Sequence, residues 1–293
     1  MKYLKYLQTA NDFESFKNSE DYILPNVSYV VETEGVSFEP YVPDMRDNYL
    51  TIEALEDGLT VSIYKNPQAC EYCVDGDGNW KNLAKGKKTE SINAGQTLSF
   101  RGNLTPSIEG IGTLSISKKC NLKGNCMSML FGDNAADNYS LSGKNRAFYQ
   151  LFYNCSNIVT VSNNFLPATT LANECYSYMF TNCTSLTTAP KLPATTLAND
   201  CYNCMFRECS SLTTAPELPA TSLTNSCYMY MFNGCSKLNY IKMLATDISA
   251  SWCLDSWVKN TASTGTFVKN PAMTTLPEGS SGIPSGWTVV DAA

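Results

Sequence analysis

The chain has 293 residues, 27 acidic and 21 basic side chains, a formal net charge of −6 and no histidine. This acidic balance argues against nucleic acid and anionic membranes as partners, because both require clustered Lys and Arg. The absence of histidine excludes Ser-His and Cys-His nucleophile pairs, and every zinc site that uses histidine.

Residues 1–43 predict an N-terminal attachment module made of one helix and one hairpin. Thr9 and Asp12 approximate a capping box ahead of a short helix near residues 10–18. Residues 26–33 and 36–42 predict two strands joined by a tight turn at Glu34 and Gly35. This stretch lacks the apolar region and cleavage site of a secretory signal, and the chain has no apolar run of about 18 residues that could span a membrane.

Residues 44–118 predict a small β-sandwich-like domain. Five alternating segments have the length and spacing of short strands. They are residues 49–55, 59–64, 70–75, 96–102 and 112–118.

The stretch DGDGNW at residues 75–80 resembles a calcium loop, because Asp75, Asp77 and Asn79 fall at loop positions 1, 3 and 5. However, Trp80 stands where such loops need glycine, and Gly86 stands where they need a bidentate glutamate. We therefore expect a hairpin tip with Trp80 folded back on the sheet, and no metal.

Residues 166–243 contain one 26-residue unit written three times. The copies are LPATTLANECYSYMFTNCTSLTTAPK (166–191), LPATTLANDCYNCMFRECSSLTTAPE (192–217) and LPATSLTNSCYMYMFNGCSKLNYIKM (218–243). A fixed period of this size predicts units that stack to bury their apolar faces.

Each unit contains the frame C-Y-x-x-M-F-x-x-C-x-x-L. Leu197, Cys201 and Met205 follow one another at intervals of four, which predicts an apolar helical face. The next residues, S-L-T-T-A-P, predict a strand closed by proline. The expected fold class is therefore mixed α+β: a small N-terminal β domain, then a leucine-rich-repeat solenoid with one strand and one short helix per coil, over residues 119–246.

Degenerate coils are expected before the three copies, and a C-terminal cap and tail after them. CMSMLF at residues 126–131 and FYNC at residues 152–155 repeat parts of the frame. Residues 247–293 predict the cap and tail, with a closing helix at 247–258 that carries Trp252 and Trp257 inward. An edge strand is expected near residues 287–290.

Thirteen cysteines raise the question of metal or disulfides. The C-x-x-C pairs Cys70/Cys73 and Cys201/Cys204 lie in different predicted domains, which disfavours a four-cysteine zinc site. Helices pack about 8 to 10 Å apart, too far for a disulfide between equivalent helical cysteines. We expect buried, reduced, structural thiols and no metal or cofactor.

No paired carboxylates, phosphate-binding loop or dinucleotide fingerprint marks a reaction centre. We therefore expect a protein that is not an enzyme. A carboxylate-based glycan hydrolase is the enzymatic alternative, because that chemistry needs no histidine.

The frame M-F-x-x-C-x-x-L with its proline-broken return segment resembles the BspA-type leucine-rich repeats of gut Bacteroidales surface proteins and of their phages' structural proteins. The resemblance covers about residues 122–290. SEDYILPNVSYVVETEGVSFEPYVP, at residues 19–43, also resembles N-terminal segments of fibre-like Bacteroides phage proteins. The resemblance implies surface recognition.

We therefore expect a recognition or adhesion protein on the virion surface or the cell surface. The leading hypothesis is a phage fibre or decoration protein that binds a bacterial surface polysaccharide or protein, with the N-terminal module contacting other virion proteins. The alternatives are a bacterial adhesin and a purely structural spacer. A homo-oligomer is possible, although no heptad run supports one.

The ligand should contact positions that differ between copies while the frame stays constant. Tyrosine and arginine are favoured interface anchors, and hydroxyl-rich or aromatic patches suit glycans. The expected ligand-binding residues are Tyr178, Arg207, Tyr230, Tyr240, Lys191 and Glu217.

Overall fold

The computed structural model describes residues 30–32, 35–37, 48–64 and 69–293. The chain divides into two compact units, Met1–Met45 and Arg46–Ala293. In the first unit, β1 (Val30–Glu32) pairs antiparallel with β2 (Gly35–Ser37), which confirms the predicted hairpin. Gly35, expected in the turn, instead pairs with Glu32 in the ladder. The helix predicted near residues 10–18 lies outside the described residues.

All five strand segments predicted between residues 49 and 118 contain a strand. The strands of this part are β3 (Leu50–Ala54), β4 (Val61–Tyr64), β5 (Cys70–Val74), β6 (Lys81–Leu83), β7 (Thr97–Arg101), β8 (Thr113–Ile116) and β9 (Cys120–Lys123). Strands β4 and β8 form a separate antiparallel pair. The two sheets share one apolar core, since Leu50 and Ile52 of β3 and Val61 and Ile63 of β4 are all buried in the same cluster.

The larger sheet continues into the repeats. Its order is β10-β9-β3-β7-β5-β6, and β10 (Ile158–Val161) pairs parallel with β9. Strand β10 belongs to the coil before the first full copy, so the sheet crosses the predicted domain boundary at residues 118 and 119. The apolar core likewise runs without a break from Leu50 to Trp287.

The expected fold class is wrong, because the repeats contain no helix. Among residues 49–64 and 69–293, the one α-helix is α1 (Ser128–Phe131), and a 3-10 turn follows it at Gly132–Asn134. The three copies are built from turns, bridges and one short strand, so this is not a leucine-rich-repeat solenoid with a helix in each coil. No described helix is long and apolar enough to cross a membrane.

The segments expected to be helical form overlapping β-turns, which we call the turn ribbons (residues 174–183, 200–209 and 226–235). Within a ribbon, alternate amides donate to the carbonyl three residues back, as Ser177 does to Glu174 (3.2 Å). The amides between them donate to the next copy, as Tyr176 does to Cys201 (3.0 Å). Both sets together give the buried backbone its hydrogen bonds, as folding requires.

Every fourth residue of a ribbon has a left-handed backbone. In the first copy these are Glu174 (φ 56°), Tyr178 (φ 58°) and Asn182 (φ 60°). This conformation costs a non-glycine residue about 1 to 2 kcal/mol. A helix would avoid that cost, but it would forfeit the hydrogen bonds to the next copy, so stacking selects the ribbon.

Two ladders of buried rings run through the stack. Phe152, Phe180, Phe206 and Phe232 stack at centroid separations of 5.5, 5.6 and 5.8 Å. Phe148, Tyr176, Tyr202 and Tyr228 form the second ladder at 5.6, 5.8 and 6.1 Å. Both ladders end on Trp257, which is 6.4 Å from Tyr228 and 6.1 Å from Phe232. The fixed aromatic positions of the repeat therefore form its core.

The cysteines are structural, and all thirteen are buried and unbridged. In each ribbon the last cysteine donates from its thiol to a phenylalanine carbonyl of the preceding coil, as Cys209 does to Phe180 at 3.1 Å. Cys235 repeats this contact with Phe206 at 3.0 Å. The expected separation of 8 to 10 Å between neighbouring coils was wrong, because their rings stack with centroids 5.5 to 6.1 Å apart. The hydrogen bonds from the thiols to phenylalanine carbonyls, not helix packing, define the environment of these cysteines.

The strand expected in every S-L-T-T-A-P segment is reduced to single bridges in the first two copies. Thr160 bridges Thr188, and Thr214 bridges Tyr240. Pro190 and Pro216 lack the amide that a longer ladder needs. The third copy has no proline there, and it forms a full strand, β11 (Tyr240–Met243).

The closing helix expected at residues 247–258 is also replaced by turns. Trp257 is buried as predicted, but Trp252 is 67% exposed. The tail covers these turns, because the Trp257 indole donates to the Gly282 carbonyl (2.9 Å) and the Val258 amide donates to the Ser280 carbonyl (3.1 Å). Strands β12 (Thr266–Lys269) and β13 (Thr288–Asp291) extend β11 in parallel, and β13 confirms the predicted edge strand.

Gly265→Ala should lower the free energy of unfolding by about 2 to 3 kcal/mol. A Cβ at this position would overlap the Asn239 backbone carbonyl and lie 2.8 Å from the Trp287 ring. Gly143→Ala is the control, since its left-handed backbone (φ 71°) faces open space and should cost only about 1 kcal/mol. Equal losses in urea denaturation would show that the Gly265 backbone can move away.

Candidate functional site

The six residues expected to bind ligand separate into two groups. Tyr178, Arg207 and Tyr230 belong to the turn ribbons. Lys191, Glu217 and Tyr240 belong to the segments that follow the ribbons, which we call the return segments (residues 185–191, 211–217 and 237–243). The sequence pattern treated them as one surface, but the fold places them on two different parts of each unit.

The first group continues into the preceding coil. Tyr149 contacts Tyr178 edge to face, with ring centroids 5.7 Å apart. The Arg146 guanidinium lies 5.3 Å from the centre of the Tyr149 ring and forms an ion pair of 2.8 Å with Glu174. We call Arg146, Tyr149, Tyr178, Arg207 and Tyr230 the tyrosine strip.

The far end of the tyrosine strip repeats the same chemistry. The Arg207 guanidinium lies 5.9 Å from the centre of the Tyr230 ring. Between the two ends, the Tyr178 hydroxyl lies beside the Cys204 thiol. Partial burial raises the pKa of Tyr178, and the neighbouring Cys204 adds to the shift. The tyrosine strip therefore offers neutral rings and guanidinium groups, which suit non-covalent contact.

Two members of the tyrosine strip were missed in the sequence. Arg146 and Tyr149 lie in the degenerate coil before the first full copy, so a comparison of the three copies cannot reach them. Arg146 shares its left-handed backbone (φ 59°) with Glu174 and Asp200, and this repeating geometry is what aligns the coils.

One member of the second group, Lys191, lines a groove of about 330 Å³ between two return segments. Its walls are Asn163, residues 187–191 and residues 213–216. Glu217 is paired with Lys242 at 3.0 Å. Lys191 is exposed and has no carboxylate partner in the part of the chain that the structure describes.

A column of hydroxyl-bearing side chains follows the same return segments. Its register comes from bridges between Thr160 and Thr188 and between Thr214 and Tyr240, and from strand pairs that continue to Thr266 and Thr288. Thr188 and Thr214 occupy equivalent positions in successive copies. We call these six residues the hydroxyl column.

The DGDGNW stretch forms the turn between β5 and β6, as predicted. Its Asp75 carboxylate accepts hydrogen bonds from the Thr97 amide (2.7 Å) and the Gln96 side chain (2.9 Å). Trp80 packs against Tyr49 with centroids 4.9 Å apart, and the Arg101 guanidinium covers its ring at 4.1 Å. These contacts give the stretch a structural role.

Among residues 48–64 and 69–293, no group of three or more Cys, Asp or Glu side chains is arranged to hold a metal ion. The thiols are also poor nucleophiles, since burial raises the pKa of Cys175 to about 12 and that of Cys227 to about 12. The candidate sites are therefore the tyrosine strip and the hydroxyl column with its groove. No family model, curated protein or solved structure matches this chain.

Proposed function

We propose that the chain is a non-enzymatic recognition protein that binds a bacterial surface ligand through the tyrosine strip. The observation that carries this proposal is the continuity of the strip, in which Tyr149 contacts Tyr178 and Arg207 lies beside Tyr230. Tyrosine and arginine dominate the binding energy of interfaces, because they combine a large contact area with directed hydrogen bonds.

The frame beneath the strip makes it suitable for binding. The rings of Tyr176, Phe180, Tyr202 and Phe206 are buried directly under the ribbons and hold them in register. A rigid backbone lowers the entropy lost when a ligand orders the surface side chains. The positions that differ between copies can then change partner without changing the fold.

A virion fibre or decoration protein is our preferred biological setting, with a bacterial surface adhesin as the alternative. Both follow from two resemblances, that of the M-F-x-x-C-x-x-L frame to BspA-type repeats and that of residues 19–43 to fibre-like phage proteins. In either setting the N-terminal module would attach to the particle or cell, and the repeats would contact the ligand.

Replacing Tyr178, Arg207 and Tyr230 together by serine should weaken binding to whole Bacteroidales cells by about tenfold or more, equivalent to 1.4 kcal/mol. Fluorescently labelled parent and variant proteins would be titrated on cells, and their thermal unfolding compared. Thr184→Ala with Lys237→Ala is the control, because both residues are exposed and lie outside the strip.

The control should bind like the parent protein. If the triple variant is folded and binds cells like the parent, the ligand must contact another surface of the protein. The ribbon face would then serve only as a spacer. If the parent protein binds no Bacteroidales cells, the proposed recognition function is wrong.

A further inference from the structure

We infer that the hydroxyl column and Lys191 form a second binding site, for a linear polysaccharide that carries carboxylate groups. This site lies on the return segments and shares no residue with the tyrosine strip. The inference therefore does not depend on the strip being a binding surface.

The geometry favours a long ligand with a repeating structure. The hydroxyl column has one member per coil. Parallel bridges or strand pairs relate its neighbours at about 4.8 Å, except for Thr188 and Thr214, which are related by their equivalent positions in successive copies. A hydroxyl both donates and accepts a hydrogen bond. A regular row of such groups matches a chain of sugars, whereas a small ligand would engage only two or three of them.

Several of these hydroxyls are available. Within the column, the Thr160 hydroxyl is engaged, because it donates to the Asn121 side chain (2.7 Å). Beside the column, the Thr187 hydroxyl donates to the Val159 carbonyl (3.0 Å). Thr188 and Thr214 are exposed, and neither side chain makes a hydrogen bond within the described part of the chain. The hydroxyls of Thr188 and Thr214 are therefore free, and both residues line the groove.

Tyr240 provides the aromatic surface. It continues the column directly after Thr214, and it is 37% exposed although its neighbours Leu238 and Ile241 are fully buried. An exposed ring offers an apolar face beside a polar hydroxyl, which is the combination that a sugar ring needs.

The charges select an anionic ligand. Lys242 is neutralised by Glu217, whereas Lys191, in the position equivalent to Glu217, keeps an unpaired ammonium group at the groove. The groove walls contribute no carboxylate. In a chain of net charge −6, this is a local positive site suited to a charge-assisted hydrogen bond with a carboxylate.

Two other polymers fit less well. Nucleic acid needs several cations along its backbone, and the groove has one. An added peptide strand needs a free backbone edge, but the amides of Val161 and Ala215 already donate to neighbouring coils.

The test uses polygalacturonate, its fully methyl-esterified form and dextran as probes, with affinities measured by calorimetry. The parent protein should bind polygalacturonate and should lose about tenfold in affinity when the probe is esterified. Lys191→Gln should cause a similar loss with polygalacturonate and little change with the ester. The double variant Thr188→Ala with Thr214→Ala and the single variant Tyr240→Ser should each bind both polygalacturonate and its ester more weakly than the parent does.

The triple serine variant of the strip is the matched control and should bind polygalacturonate like the parent. Absence of binding by the parent, or equal affinity of Lys191→Gln and the parent, would overturn the inference. Loss of binding in the strip control would assign the polysaccharide to the strip instead. Cell binding by the parent, measured separately, shows whether the proposed recognition function survives any of these results.

Discussion

Between pH 9 and 12 the protein should lose stability steeply, because its buried thiols cannot ionise without leaving the core. Burial raises the pKa of Cys70, Cys155, Cys175 and Cys227 from 9.0 to about 12. Burial also raises the pKa of the Tyr202 hydroxyl, which lies in the ring ladder without a hydrogen-bond partner. The folded state therefore keeps protons that the unfolded chain releases.

The direction of the effect follows from the proton count. Above about pH 8.5 the unfolded thiols are ionised, so the unfolded chain binds fewer protons than the folded one. The free energy of unfolding then falls by about 1.4 kcal/mol per thiol for each pH unit. The contribution of the thiols to stability is complete below about pH 8.5 and is lost as pH rises towards 12. Four such thiols remove about 5.6 kcal/mol in one pH unit, comparable with the whole stability of many domains.

Urea denaturation at pH 7, 8, 9, 10 and 10.5, with a phosphine reductant present, measures this loss. The denaturation midpoint should be nearly constant up to pH 8 and should fall sharply above pH 9. Cys175→Ala is the informative variant: it should be less stable at pH 7 but lose stability less steeply with pH. A midpoint that stays constant to pH 10.5 would show that water reaches the thiols.

Phe206→Ala should lower the free energy of unfolding by about 3 to 5 kcal/mol. The Phe206 side chain is fully buried and stacks between Phe180 at 5.6 Å and Phe232 at 5.8 Å. Its removal leaves a cavity that the neighbouring rings cannot fill without breaking the register of the coils. Amide exchange should therefore quicken in both adjacent ribbons.

Tyr139→Ala is the control for this truncation, because Tyr139 is 52% exposed and lies outside both ladders. Its cost should stay within about 0.5 kcal/mol. Similar denaturation midpoints for the two variants would mean that the phenylalanine ladder does not hold the stack together.

The helix prediction failed because a ribbon of period four and a helix bury almost the same positions. Cys175, Met179 and Cys183 are spaced by four, and over so short a segment a period of 4.0 resembles the helical 3.6. The difference lies in the hydrogen bonds to the next copy, which no single unit contains. Asn182 at a left-handed position is a weak local signal of the ribbon, since asparagine tolerates that backbone.

Features with a local cause were predicted well. The hairpin turn at Asp75 and the strands β3, β4, β5, β7 and β8 depend on alternation and turn residues that adjoin one another in the chain. The prediction of a strand in each return segment was wrong where Pro190 and Pro216 occur, because the missing amide limits pairing to one bridge.

Comparison of the copies identified ligand candidates but could not group them. Variation between copies singled out Tyr178 and Tyr240 equally, and it does not by itself mark exposed positions, since Cys204 and Met243 vary and are buried. The separation into strip and column depends on which backbone groups pair between coils. Thr266 and Thr288 joined the column only through strand pairing, because they lie beyond the third copy and outside its frame.

Through-hydrogen-bond scalar couplings, measured by NMR on deuterated protein, test the stacked ribbon most directly, and both binding faces depend on its register. We expect couplings from the Tyr176 amide nitrogen to the Cys201 carbonyl carbon and from Phe180 to Met205, because these amides donate to the next copy at 3.0 and 2.9 Å. Couplings from Tyr176 to Ala172 and from Phe180 to Tyr176, four residues back, would indicate helices and would contradict the stacked ribbon.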